Sequence, residues 1–456
     1  MKIIILGAGQ VGSTVASHLS SEEANDVTVV DIQGELLQDL QDRLDIRTVQ
    51  GHASYPEVLE RAGCEDADML IALTTNDEVN LVACQIAATL FHTPTKIARV
   101  RSIEYLNCPP LLSKETLGVD VVISPEQLVT EHVLRIIEDP GALQVLDFAD
   151  GRVRLVAVKA YYSGPLVGKA LRTLNEHMPG IDTRVAAIFR QGQPIIPQAD
   201  TIIQVGDEVL FITAKKYTRA VMSELRQLDK PLKRIILAGA GNVGRRLAKR
   251  LEGRFQVKLI EKNPVCAAQA VKQLARTIVL TGDAGDQDLL IEENIAHTDL
   301  FCAVTNDDEA NILSAMLAKR LGARMVISLV GRPAYRNLTE DGRIDITVSP
   351  QQTTIGSLLT HVRRGDVVKV HTLRQGAAEA IEAVVHGDRT TSQVVGRRIE
   401  KIALPPGTTI VAIARGMELL IAHHDTLIQP EDHIILFLTD KKQITGVEQL
   451  FQIRPA

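Results

Sequence analysis

The sequence predicts an α/β chain: two doubly wound parallel-sheet domains, each followed by a small α+β domain. Three observations carry this. The pattern Gly-x-Gly-x-x-Gly occurs twice, as Gly7-Ala8-Gly9-Gln10-Val11-Gly12 and as Gly239-Ala240-Gly241-Asn242-Val243-Gly244. Each copy sits between an apolar run with the character of a buried strand, Ile3-Ile4-Ile5-Leu6 or Ile235-Ile236-Leu237-Ala238, and a helical pattern. From each copy onward, short apolar strands alternate with helical stretches over about 130 residues, which implies a parallel sheet with helices on both faces, the Rossmann-like arrangement.

One such glycine pattern is a weak signal because glycine is common; its duplication in the same context makes chance unlikely. In this geometry the first glycine permits the tight turn, the second lets the backbone approach a pyrophosphate, and the third lets helix and strand pack closely. The phosphates then lie on the N–H groups at the helix N-terminus. The plainer reading is a glycine turn kept for packing alone. The next strand in each copy ends in a carboxylate, Val27-Thr28-Val29-Val30-Asp31 and Val257-Lys258-Leu259-Ile260-Glu261. Asp31 lies 19 residues after Gly12 and Glu261 lies 17 after Gly244, close to the roughly 20-residue spacing at which an acid accepts hydrogen bonds from ribose hydroxyls. An acid here disfavours a 2′-phosphate, so NAD or NADH is expected over NADP; ADP and ATP keep the 2′-hydroxyl and stay open.

The repeat extends well past the glycines. Gly51-His52-Ala53 corresponds to Gly282-Asp283-Ala284, and Asp68 to Thr74 corresponds to Asp299 to Thr305, at a constant offset of 231. The register holds through Asp77-Glu78-Val79-Asn80 and Asp308-Glu309-Ala310-Asn311, and Val122-Ile123-Ser124-Pro125 then echoes Thr347-Val348-Ser349-Pro350. Thr74-Thr75 and Thr305-Asn306 fall at the carboxyl end of the fourth expected strand, where open parallel sheets place their ligands. Their side chains are candidates for pyrophosphate or ribose contact. The same Thr-Thr-Asn-Asp-Glu and Thr-Asn-Asp-Asp-Glu stretches also suit helix N-caps, and both roles can hold together. Arg99, after Ile97-Ala98, is a candidate phosphate ligand; the second copy is expected to carry Ser328 there, so the two sites should differ in affinity or ligand.

Beyond residue 140 the pattern changes to strands separated by Gly, Pro and Asp turns. Arg154 to Val158, Arg184 to Phe189 and Asp207 to Ile212 find counterparts in Ala380 to Val385, Thr409 to Ala414 and Asp432 to Leu438. Each module also has a glycine step before a helical segment, Pro165-Leu166-Val167-Gly168 and Gln393-Val394-Val395-Gly396. Boundaries are expected near Asp139-Pro140-Gly141, Lys230-Pro231-Leu232 and Arg364-Gly365. A prior of roughly 150 residues per domain suggests about three domains for 456 residues, and the repeat raises this to four.

Across essentially the whole chain these features resemble the tandem RCK (regulator of potassium conductance) family, cytosolic regulatory subunits of bacterial Trk potassium uptake. The resemblance rests on the two glycine patterns, the two strand-end carboxylates, the Thr-rich stretches and the paired small modules. It implies RCK-N domains at 1–139 and 232–364 and RCK-C domains at 141–228 and 366–456. It implies binding of NAD(H), with ADP or ATP open, and control of potassium transport through a membrane partner of Trk type (TrkH/TrkG-like). It also implies a homo-oligomer, dimer or tetramer, peripheral at the cytoplasmic face of the inner membrane. His52 departs from the Asp that many relatives carry and that Asp283 keeps, which bears on adenine contacts in the first site.

Composition narrows the alternatives. A net charge of -6, no Trp and 3% aromatic residues disfavour nucleic-acid binding. Arg245-Arg246 with Lys249-Arg250 forms a local basic helix face, read as solvated surface before a phosphate or subunit contact. No apolar run approaches the ~18 residues of a membrane span and no signal-peptide pattern opens the chain, so a cytoplasmic protein is expected, reaching the membrane only through its partner. Cys64, Cys84, Cys108, Cys266 and Cys302 lack C-x-x-C spacing and are expected to be free thiols. His423-His424-Asp425 reads as an exposed turn before a metal site. No acid–base constellation, G-x-S-x-G elbow or H-E-x-x-H helix accompanies the glycine patterns, so no catalytic residue and no metal ligand is expected. A nucleotide sensor is favoured over an NAD-dependent oxidoreductase, which would rest on the fold alone, and over a scaffold whose lobes bind nothing.

Overall fold

The computed structural model describes residues 1–22, 25–227, 230–335, 343–362, 367–373, 378–416, 418–439 and 443–452; the expected boundary at Arg364-Gly365 and the limits at 228, 366 and 456 lie outside the described residues. The chain divides into two compact units, Met1–Leu128 with Pro350–Leu358, and Val129–Ser349 with Leu359–Ala456.

In the first unit, β1 (Lys2–Leu6), β2 (Asp26–Asp31), β3 (Arg47–Gln50), β4 (Met69–Ala72), β5 (Thr95–Arg99) and β6 (Val121–Ile123) form a parallel sheet in the order β3-β2-β1-β4-β5-β6. Ile3 to Leu6 are at most 2% exposed because helices cover both faces of a parallel sheet. The strand order reverses between β1 and β4, which pair Ile3 with Met69 and Leu6 with Ala72. The crevice beyond the carboxyl ends of these strands is the switch point at which such sheets take ligands. On one face Ile4, Leu6, Leu70 and Ala98 share a core with Ala83 and Ala87 of the helix Asp77–Thr89, whose small side chains let the helix lie close.

Among the described residues, the second unit holds three sheets. β7 (Ala142–Phe148), β8 (Val153–Lys159), β9 (Thr183–Arg190), β10 (Gln193–Ile195) and β11 (Glu208–Ala214) make an antiparallel sheet ordered β10-β9-β11-β8-β7. β12 (Arg234–Ala238), β13 (Gln256–Glu261), β14 (Ile278–Thr281), β15 (Leu300–Ala303), β16 (Met325–Leu329) and β17 (Ile346–Val348) repeat the parallel sheet, ordered β14-β13-β12-β15-β16-β17. β18 (Val367–Leu373), β19 (Ala378–Val384), β20 (Thr408–Arg415), β21 (Glu418–Ile421) and β22 (His433–Leu438) repeat the antiparallel one, ordered β18-β19-β22-β20-β21. Leu146, Phe148 and Phe189 of the first antiparallel sheet share one core with Val411, Ile435 and Phe437 of the second.

Two long helices depart from strict sequence order. Pro125–Glu138 follows β6, yet Val129, Val133, Ile136 and Ile137 are buried in the core of the second parallel sheet with Ile235, Leu237 and Leu247. Pro350–Val362 follows β17, yet Pro350–Leu358 belongs to the first unit.

The strands β7, β10, β18 and β21 escaped the sequence reading, and all four are sheet edges. An edge strand pairs on one side only, so its pattern need not alternate and it tolerates Pro194 in β10. Asp207 and Asp432, expected to open strands, precede β11 and β22 instead. Each is buried, 1% and 0% exposed, and held by two hydrogen bonds from Arg190 or Arg415 at 2.8–2.9 Å.

Candidate functional site

Both glycine loops adopt the same backbone. Gly7 and Gly239 have φ of +106°, a region that strains any other side chain. Their N–H groups donate to Val30 O at 2.7 Å and Ile260 O at 2.8 Å, closing each loop onto the end of the neighbouring strand. A Cβ on Gly12 or Gly244 would lie 1.8 Å from the carbonyl oxygen of Gly7 or Gly239, so only glycine lets the helices Gln10–Ser20 and Asn242–Leu251 begin against the loop. Gly9 and Gly241 are different: a Cβ there meets no atom within 4 Å. Each is a helix N-cap without a side-chain cap, and such a helix start offers N–H donors to an anion. Gln10 and Val11, and Asn242 and Val243, are the first two residues of these helices.

The carboxylates tie each loop down. Asp31 Oδ2 accepts from Ala8 N at 2.6 Å and its Oδ1 from Gln33 N at 2.8 Å. Glu261 repeats both bonds, with Ala240 N at 2.6 Å and Asn263 N at 2.8 Å. A carboxylate offers about four lone-pair sites, so capacity for ribose hydroxyls remains after these two bonds.

Thr74 and Thr305 lie just past β4 and β15, at the switch points, and each is held by an asparagine on the following helix. Asn80 Oδ1 accepts from Thr74 N at 3.0 Å and Oγ1 at 2.7 Å, while its amide donates to Thr74 O at 3.2 Å and Arg99 O at 3.0 Å. Asn311 repeats this with Thr305 N at 2.9 Å, Thr305 Oγ1 at 2.7 Å, Thr305 O at 3.0 Å and Leu329 O at 3.1 Å. Asn80 and Asn311 are fully buried and shape both sites, a role that their place in the repeat does not reveal by itself. Their signal was an asparagine at the same offset in both copies, on helix faces otherwise made mostly of small side chains. Thr75 is exposed, beside Asn76, which caps its helix through Val79 N at 2.8 Å; Asp307 does the same through Ala310 N at 3.0 Å.

Arg99 closes β5 beside this network. Its Nε is buried and makes no hydrogen bond, and burial pulls its guanidinium below the usual range, with Glu126 countering. The expectation of Ser328 at the equivalent place is corrected by the strand register: Ser328 pairs with Ala303 as Ala98 pairs with Ala72. Leu329 therefore stands where Arg99 does, as the matching asparagine bonds confirm. One residue is lost between helix and strand in the second copy, which shifts the register by one.

The TrkA-N domain family model matches residues 3–125 and 235–350, and the TrkA-C domain model matches 155–226 and 389–451. The chain belongs to the TrkA family. It is 60% identical to the Trk system potassium uptake protein TrkA of Halomonas elongata over 453 residues, covering 99% of each chain. The protein of the same name from Vibrio alginolyticus is 58% identical over 456 residues, covering 100% of this chain and 99% of that one. These relatives carry the name of a potassium uptake protein and not of an enzyme. Among solved structures, the GsuK RCK domain superposes with a TM-score of 0.61 at 19% identity, covering 98% of this chain and 94% of that one. The GsuK channel bound to NAD gives 0.60 at 19%, covering 98% and 79%. Those likenesses show the RCK fold.

The two copies also differ on the side of β2 and β3. Lys262, just after Glu261, pairs with Asp283 at 2.8 Å, and Lys262 together with Gly285 N holds that carboxyl below its ordinary range. The matching positions in the first copy are Ile32, 61% exposed, and His52, whose ring stacks on Tyr55 at 4.7 Å and whose Nδ1 meets Ser54 Oγ at 2.9 Å. The basic residues Arg245, Arg246, Lys249 and Arg250 all lie on the helix Asn242–Leu251, with Lys249 and Arg250 exposed. His423, His424 and Asp425 are exposed between β21 and β22, and among the described residues no cluster of His, Cys, Asp and Glu could hold a metal ion.

Proposed function

We propose that this chain is the nucleotide-sensing regulatory subunit of a Trk-type potassium uptake system. Both glycine loops bind NAD or NADH, with ADP and ATP competing for the same cradles. The observation that carries this reading is the duplicated cradle: an open Gly9 or Gly241 beside an immovable Gly12 or Gly244, with a carboxylate fixed across the loop. Ala8 to Gly12 and Ala240 to Gly244 would hold the pyrophosphate, Asp31 and Glu261 the ribose, and Thr74, Thr75 and Thr305 the edge of the crevice. Arg99 stands where the second copy has Leu329 and adds a cation at that edge of the first site, so the first site favours the more highly charged phosphate groups there. When bound, the nucleotide supplies charge and contacts, and it moves the regulator only as far as it binds one arrangement more tightly than another.

The TrkA-family relatives are named for potassium uptake, and among the described residues no helix is long and apolar enough to cross a membrane. The flux then belongs to a membrane partner of Trk type (TrkH/TrkG-like), on whose cytoplasmic face this chain docks as a homo-oligomer, dimer or tetramer. Its four modules are the RCK-N and RCK-C domains expected from the repeat. The test is potassium uptake in cells carrying that membrane subunit with the wild-type chain or with Asp31→Asn and Glu261→Gln combined. The reading expects nucleotide-dependent control to be blunted in the double variant, and unchanged control contradicts it.

A further inference from the structure

Gln351 lies far from the first glycine loop in sequence and touches it in space. Its side-chain nitrogen donates to Gln10 Oε1 at 3.2 Å, across 341 residues of chain. Gln351 is 6% exposed, in the first turn of the helix Pro350–Val362, and Thr354, Ile355 and Leu358 of the same helix are at most 1% exposed. Gln10 is the first residue of the helix on which the phosphates would rest. A carboxamide whose oxygen is occupied must present its two N–H donors elsewhere. Gln351 thereby fixes the Gln10 amide with its acceptor engaged and its donors available to an anion at the helix start. The second copy solves the same task locally: Asn242 Oδ1 accepts from Arg245 Nη2 at 3.1 Å, three residues along its own helix. The first site draws this donor from the far half of the chain.

We propose that Gln351 is a positioning residue of the first nucleotide site, and that the helix Pro350–Val362 registers occupancy of that site through the Gln10–Gln351 bond. The proposal rests on the nucleotide reading above. Pro350–Leu358 belongs to the first unit and Leu359 onward to the second, so this helix is a covalent link along which occupancy is passed on.

The test is hydrogen–deuterium exchange on the full chain during titration with ADP and, separately, NADH, following peptides that cover residues 7–20 and 350–362. In the wild-type chain the first peptide should gain protection as the site fills, and the second should change with the same midpoint. Gln351→Leu keeps the volume and removes the donor; it should weaken the midpoint about fivefold, the scale of one hydrogen bond, and uncouple the second peptide from the first. Gln351→Glu cannot donate and brings like charge toward the phosphates, so its midpoint should weaken about tenfold or more. Gln10→Leu breaks the same bond from the exposed side, and adding Gln351→Leu to it should weaken the midpoint by less than the two single effects combined. If the first peptide is protected normally in all three single variants and the second still responds, the coupling is overturned while the nucleotide reading stands. If neither nucleotide protects residues 7–20 of the wild-type chain, both fail.

Discussion

Gly9 and Gly12 stand three residues apart in one loop, yet their replacement by alanine should separate ligand binding from stability. Gly12→Ala drives a Cβ to 1.8 Å from the Gly7 carbonyl oxygen, against ordinary contact at 3.4 Å or more. The obstacle is backbone, so the helix must retreat by more than an ångström, and the cost belongs at the upper end of overpacking, about 3 kcal/mol. Gly9 has φ −66° and ψ −173°, extended backbone that any residue adopts, with nothing within 4 Å of a Cβ. Gly9→Ala should therefore leave stability within about 0.5 kcal/mol, since loss of chain entropy in the unfolded state offsets a poorer N-cap. The new methyl projects into the space a pyrophosphate needs, and binding should fall more than about tenfold, or 1.4 kcal/mol. Gly241→Ala and Gly244→Ala should repeat the pair in the second copy. Urea unfolding and calorimetric titration with NADH measure the two effects on the same samples. NADH binding at wild-type strength in the Gly9→Ala, Gly241→Ala double variant would refute the reasoning, because the open side of the loop would not be where the ligand lies.

Three further outcomes follow from the geometry. Arg99→Leu should weaken binding of ATP to the first site more than binding of NADH, and Leu329→Arg should strengthen ATP at the second; competition titrations that show no change in nucleotide preference would remove Arg99 from the site. Burial pushes His132 down to about 4 and His371 to about 3, so the unfolded chain binds more protons than the folded one between those values and 6.5. The resulting stability is fully present above about pH 6.5 and is lost as the pH falls, by about 2 kcal/mol per histidine at pH 5. Urea midpoints at pH 7.5 and 5.0 should show that loss, and His371→Gln should reduce the difference; an undiminished difference in the variant would exclude His371 as a source. Burial also raises the Cys84 and Cys302 thiols to about 12, while Cys108 is exposed. Alkylation of the native chain at pH 8 followed by mass spectrometry should modify Cys108 and spare the other two.

The parts of the site that sequence revealed are those where chemistry restricts residue type at fixed spacing. Gly7 needs positive φ, Gly12 needs the absence of a Cβ, and Asp31 must span from strand end to loop, so each leaves a mark that the duplication at Gly239, Gly244 and Glu261 makes plain. Asn80 and Asn311 left a weaker mark, because a polar residue on a helix ordinarily faces water and only the three-dimensional approach of Thr74, or of Thr305, turns it inward. The register of Arg99 against Leu329 was hidden by one missing residue in a connecting loop, which no local pattern records. Gln351 was invisible for a different reason: its partner is set by a helix that joins the other sheet's unit, and spacing along the chain carries no trace of that exchange. In the small sheets, central strands such as β8 and β22 were legible from apolar runs, whereas the edges β7, β10, β18 and β21 were not.

Each glycine loop, with the carboxylate tied across it, is proposed as a nucleotide site. Calorimetric titration of the full chain with NADH, NAD, ADP and ATP, beside Asp31→Ala and Glu261→Ala, tests it most directly. Saturable binding should be lost one site at a time, the first with Asp31→Ala and the second with Glu261→Ala. Binding that is unaffected by both substitutions together, or no binding of any of the four by the wild-type chain, would contradict it.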